Sequence, residues 1–120
     1  MPAYMLLLYD GPANYDLSAD EMQKIIEKYT AWRDALARSG KLITSDRLVD
    51  GEGRVVRRDH GKVRVLDGPF SETKEVIGGY FAIEAADYDE AVSAASECPH
   101  VEFGTIEVRR IDKVRGCNPD

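Results

Sequence analysis

Two histidines and two cysteines are all that this 120-residue chain offers to a soft or borderline metal, and none of the four stands at ligand spacing from another. That pattern argues against a zinc centre, and Cys98 with Cys117 does not suggest a disulfide framework. There is no Gly-x-Gly-x-x-Gly and no P-loop, because Gly51 and Gly53 belong to a hairpin turn. No apolar run approaches the ~20 residues of a membrane span. The N-terminal stretch Met1–Asp10 lacks a basic segment ahead of its apolar run, so it does not read as a secretion signal. Basic side chains are the minority: 16 Lys and Arg stand against 22 Asp and Glu, a net charge of −6. Such a chain repels phosphate backbones. Arg54, Arg57, Arg58, Lys62 and Arg64 do cluster, but they alternate around Asp59 and His60 as a solvated hairpin would. The expectations are a cytoplasmic protein with no resident cofactor, no intrinsic metal, no membrane contact and no direct nucleic-acid binding.

What is present fits one small globular domain. Hydrophobic residues are 43% and charged residues 32%, and the length allows one modest core. The domain is expected over residues 1–111, with 112–120 as a flexible C-terminal tail.

Tyr4–Tyr9 is a continuous apolar run of strand length, suited to the centre of a sheet, and Asp10-Gly11-Pro12 ends it. Ser18 and Glu21 form a capping box, with Leu17 and Met22 as a hydrophobic staple. Met22, Ile25, Ile26, Tyr29, Trp32 and Leu36 recur at helical spacing, so a helix is predicted over Ala19–Ser39, closed by Gly40. Strands are predicted over Leu42–Val49, Arg54–Arg58, Lys62–Leu66, Tyr80–Glu84 and Thr105–Ile111. Asp87 caps a second helix, with Glu90 at the capping-box position, and Cys98-Pro99 ends it. His100 then reads as a surface residue at a helix end, and Tyr29 as core. With the Arg54–Leu66 hairpin set aside, the order is βαββαβ, the split βαβ of ferredoxin-like α+β folds. Such a sheet carries both helices on one face, and its other face needs a cover. A second copy of the chain is the expected cover, as a homodimer or larger assembly.

The stretch from Val65 to Phe81 organises the rest. Asp67-Gly68-Pro69 is a turn, Phe70 returns to the core side, and Glu72, Lys74 and Glu75 cluster beside it. Gly78-Gly79 lets the backbone bulge, or approach something closely, before the strand at Tyr80.

Asp67-Gly68-Pro69-Phe70 together with Glu72, Lys74-Glu75 and Gly78-Gly79-Tyr80 resembles the signature of the DGPF group of YCII-related proteins. The likeness extends through Tyr4–Tyr9, Ser39-Gly40, Asp89-Glu90-Ala91, Cys98-Pro99 and Gly104–Arg109. It implies a dimeric α+β barrel and a small-molecule ligand. It also implies a functional link to extracytoplasmic-function sigma factors, whose genes often neighbour those of the family. The His–Asp pair proposed for the YCII branch, with its His on the first helix, does not carry over: no histidine precedes His60.

The candidate site is therefore polar and organic in its chemistry. Asp67 and Glu72 are the candidate acid–base carboxylates, raised in pKa if buried. Tyr9, Phe70, Lys74, Tyr80 and Arg109 are the candidate substrate-binding residues, with Lys74 or Arg109 suited to an anion or an enolate. Three readings stay open: acid–base catalysis on a small polar or anionic substrate, ligand binding or regulation without turnover, and a purely structural unit whose charges form an ion-pair network.

Overall fold

The strand Ala3–Asp10 (β1) lies at the middle of the sheet, as its unbroken apolar run predicts. The computed structural model describes residues 1–10, 18–68 and 76–113. After β1 come the helix Ala19–Arg38 (α1) and the strands Leu42–Arg47 (β2), Arg54–Asp59 (β3), Lys62–Asp67 (β4) and Val76–Glu84 (β5). The helix Tyr88–Ser96 (α2), a 3₁₀ turn over Pro99–Glu102 and the strand Gly104–Arg110 (β6) complete the chain order. Four strands form one sheet in the order β2-β5-β1-β6, every pair antiparallel, while β3 and β4 pair only with each other. This is the expected α+β arrangement, βαββαβ with an added hairpin.

Alternation along the strands divides the sheet into two faces. Tyr4, Leu6 and Leu8 lie opposite Ile83, Phe81 and Gly79 on one side and Arg110, Val108 and Ile106 on the other. This face meets Trp32 and Leu36 of α1, Ala91 and Ala95 of α2, and Cys98 in one core cluster, so both helices cover the same side. The Trp32 ring packs edge-on against Phe81, centroids 4.7 Å apart, and its Nε1–H donates to the Ala94 carbonyl at 3.0 Å. One side chain thus joins helix to sheet and helix to helix.

The caps are as the sequence implies. Ser18 Oγ accepts from the Glu21 amide at 3.1 Å and Glu21 answers to the Ser18 amide. Asp87 Oδ1 accepts from the Glu90 amide at 2.9 Å, but the Glu90 carboxylate turns instead to Lys41 Nζ at 3.1 Å. The α1 stripe is not all core: Trp32 and Leu36 are buried, whereas Met22 and Ile26 are nearly half exposed. The staple partner Leu17, the signature residues Pro69 and Phe70, and the tail from residue 114 onward lie outside the described residues.

Cys98 is fully buried where α2 gives way to the 3₁₀ turn, and burial pushes its thiol up to about 11. A backbone hydrogen bond from His100 opposes the shift. The folded state thus holds the thiol neutral, while the unfolded chain ionises it at an ordinary pKa. This contribution to stability is whole below pH ~9 and is lost as pH rises towards ~11, an effect of about 2–3 kcal/mol. Thermal unfolding followed from pH 8 to 11 should show a falling melting temperature, and Cys98→Ala should flatten the first part of that fall.

Candidate functional site

Two features of β1 and its neighbours open a pocket at one end of the helix-covered face. The first is a bulge: Leu8 pairs with Gly79 and Tyr9 with Ile77, so Gly78 is left over in the ladder. The Gly78-Gly79 pair supplies that bulge, as the sequence suggests. A Cβ on Gly78 would run into the Asp10 carboxylate, so the missing side chain is what lets Asp10 lie across β5. The second is the 3₁₀ turn after Cys98, which brings His100 inward.

His100 is only 6% exposed, which corrects its expected place on the surface. Pro99 stops α2 and sets the tight turn, and the turn points the imidazole under the end of β1 rather than outwards. Nε2 lies 2.8 Å from the Tyr9 carbonyl and Nδ1 lies 2.8 Å from the Tyr29 hydroxyl. A carbonyl can only accept, so Nε2 carries a hydrogen. In the neutral ring Nδ1 is then a bare acceptor, and Tyr29 donates to it. Gly104 seats the ring from the other side, because a Cβ there would strike the Tyr9 carbonyl and stand 2.8 Å from Nε2.

Tyr29, expected as plain core, is half-buried on α1 and lines this pocket. Burial raises its phenol well above the usual range, with Cys98, Asp10 and Glu102 adding to the rise and Arg47 opposing it. The phenol therefore stays protonated at neutral pH and serves as a donor to His100. The pocket encloses about 450 Å³. Leu8, Ile26 and Phe81 give it apolar walls, while Asp10, Arg33 and Arg47 bring charge to it. Arg33 Nε donates to Ser45 Oγ at 3.2 Å, and Arg47 pairs with Asp50 at 3.2 Å.

The sequence-predicted residues are distributed differently. Tyr9, Tyr80 and Arg109 alternate onto the sheet face away from the helices. There Tyr9 donates to Glu107 Oε1 at 2.9 Å, and Arg109 stands 3.8 Å from the same carboxyl group, so these two are brought together through Glu107. Tyr80 donates to Asp46 Oδ2 at 2.8 Å, a bond that raises its own phenol pKa. Asp67 sits at the end of β4 with a nearly fully exposed side chain, 3.7 Å from Arg54, apart from the rest. Phe70, Glu72 and Lys74 lie outside the described residues. None of the described candidates lines the pocket, and Tyr9 is tied to it through its backbone carbonyl, which accepts from His100. Sequence reasoning missed Tyr29, His100, Asp10, Arg33 and Arg47. Their one local signal was the glycines, Gly78 and Gly104, that make room for Asp10 and His100.

Fold and pocket together define a small α+β domain with one helix-covered antiparallel sheet and a polar-ended pocket under its first helix. The chain belongs to the YCII-related family: the sequence model of the YCII-related domain matches residues 3–115. An uncharacterized protein of Rhizobium meliloti (strain 1021) is 32% identical over 110 residues, covering 88% of this chain and 89% of that one. Among solved structures, the 5-chloro-2-hydroxyhydroquinone dehydrochlorinase of Burkholderia phenoliruptrix AC1100, in complex with 2,5-dihydroxybenzoquinone, is similar at 18% identity. Its TM-score is 0.48, with 92% of this chain and 93% of that one covered.

Proposed function

We propose that this chain binds a small organic anion in the pocket between α1 and the sheet, and that Tyr29 and His100 together move a proton at the bound molecule. The observation that carries the reading is the Tyr9 carbonyl–His100–Tyr29 chain of hydrogen bonds ending at a pocket wall. Arg33 and Arg47 attract the anionic end, and the apolar walls hold a flat carbon skeleton. A hydroxyl of the ligand gives its proton to the Tyr29 oxygen as Tyr29 gives its own to His100 Nδ1. The ligand is left as a phenolate or enolate, and the imidazolium keeps its Nε2–H on the Tyr9 carbonyl. The same geometry supports a second reading, binding without turnover. The raised phenol pKa that favours it makes Tyr29 a durable neutral hydrogen-bonding group at neutral pH.

Benzoate titrated against ¹⁵N-labelled protein, with neutral benzamide as control, tests the pocket. Amide shifts around Tyr29, Arg33, Arg47 and His100 are expected, with benzoate binding about tenfold more tightly than benzamide, the worth of one charge-assisted bond. Shifts confined to another surface, or equal affinities, would remove the reading.

The assembly is the second part of the proposal. The outer sheet face carries Met5, Leu7, Tyr9, Tyr80 and Ala82 in adjacent registers, and Ile77 is partly exposed. A second copy laid face to face covers it, with the Tyr9–Glu107 and Tyr80–Asp46 bonds at the rim.

A further inference from the structure

We infer that the β3–β4 ribbon is an arm that docks on a second copy of this chain through its valine face. Direct partners in the ladder share a face, so Val56 and Val65 lie side by side with Val63 next along β4. These three are 65%, 61% and 60% exposed. The opposite face is already satisfied: Arg57 and Arg64 both pair with Asp59, at 3.3 and 3.5 Å. The two faces thus differ: one is tied by the Asp59 ion pairs with Val55 and Leu66 half-buried, and the other exposes the three valines between the Arg54–Asp67 pair and Arg58. Among the described residues no other strand or helix packs along it.

A lone two-stranded hairpin is marginal in water, and an apolar face on one is a further cost unless something covers it. Among the described residues the body of the chain does not fold back over the ribbon, and the shape is extended to match. The radius of gyration is 16.5 Å and the smallest dimension 19 Å, whereas a packed domain of this length has a radius near ~13.5 Å. Charge says what the cover is. The stretch Arg54–Asp67 holds five of the 16 basic residues and two of the 22 acidic ones, so an arm of net +3 extends from a remainder of net −9. The acidic remainder of a second copy is a complementary surface, and a two-fold arrangement lets each arm reach the other body.

This rests on the homodimer reading and is tested so that the two can fail apart. Sedimentation of the unaltered protein and of the triple variant Val56→Thr, Val63→Thr, Val65→Thr is compared at micromolar concentration. Threonine keeps the shape and strand preference of valine, so the ribbon survives while its apolar face is lost. The expected result is a dimer whose dissociation constant rises about 30-fold or more in the variant, since each buried methyl group lost weakens association. A carbodiimide cross-link then locates the arm. In an equal mixture of ¹⁴N and ¹⁵N protein, Lys62 should couple to carboxylates of the other isotope. A monomeric unaltered protein would overturn both readings. A dimer unmoved by the triple variant, or Lys62 cross-links confined to one isotope, would overturn the docking arm and leave the sheet-face dimer standing.

Discussion

Gly104→Ala is expected to lower the melting temperature by about 10 °C, the equivalent of roughly 2–3 kcal/mol for a domain of this size. The new methyl group has nowhere to go. It would strike the carbonyl oxygen of Tyr9, which belongs to the central strand and accepts from His100, and it would stand 2.8 Å from His100 Nε2. Neither neighbour yields cheaply: one is backbone held in the β1–β6 ladder, the other a buried ring held at both nitrogens. Gly78→Ala is the control. Its methyl group meets the Asp10 carboxylate, the end of an exposed side chain that can swing away. That variant should unfold within a few degrees of the parent. Equal and small losses in both would mean that His100 is not wedged as described.

The contrast between these two glycines also shows how much of the molecule is legible in its sequence. Gly78-Gly79 declares a bulge because paired glycines inside an apolar strand pattern have little other use. The capping box at Ser18, the stop at Cys98-Pro99 and the unbroken run Tyr4–Tyr9 likewise encode local physics, and the strand and helix order follows from them. The boundaries drift where a ladder runs on past a bulge, as when β5 starts at Val76, ahead of Gly78-Gly79, rather than at Tyr80. The pocket is different. Tyr29 and His100 are 71 residues apart, and nothing within either neighbourhood announces the other. Tyr29 falls on the apolar stripe of α1 and reads as core, and His100 follows a proline and reads as surface. Only the tertiary position of the 3₁₀ turn joins them. The residues around Asp67 carry the more conspicuous pattern, yet Asp67 itself faces solvent beside Arg54.

The second large effect belongs to the proton itself. A nitrophenol bearing a carboxylate, 4-hydroxy-3-nitrobenzoate, reports its own ionisation by colour. At a pH where the free probe is mostly protonated, the protein-bound probe should turn to the yellow phenolate, because Tyr29 passes the proton on to His100 Nδ1. Tyr29→Phe removes the only relay atom and leaves the ring volume unchanged. His100→Gln keeps a donor for the Tyr9 carbonyl but has no site that takes up a proton near neutral pH. In both variants the colour change on binding should disappear, while affinity stays within about tenfold of the parent because Arg33 and Arg47 still hold the carboxylate. Tyr29→Phe should also cost about 1–2 kcal/mol in stability, since it leaves Nδ1 of a buried imidazole without its donor. If the pair serves only to pin the 3₁₀ turn under β1, stability again falls in the variants, but the bound probe keeps the parent's colour. Absorbance, read on samples whose melting temperature shows them folded, separates a proton-transferring pair from a structural one, and a yellow complex in Tyr29→Phe would end the relay.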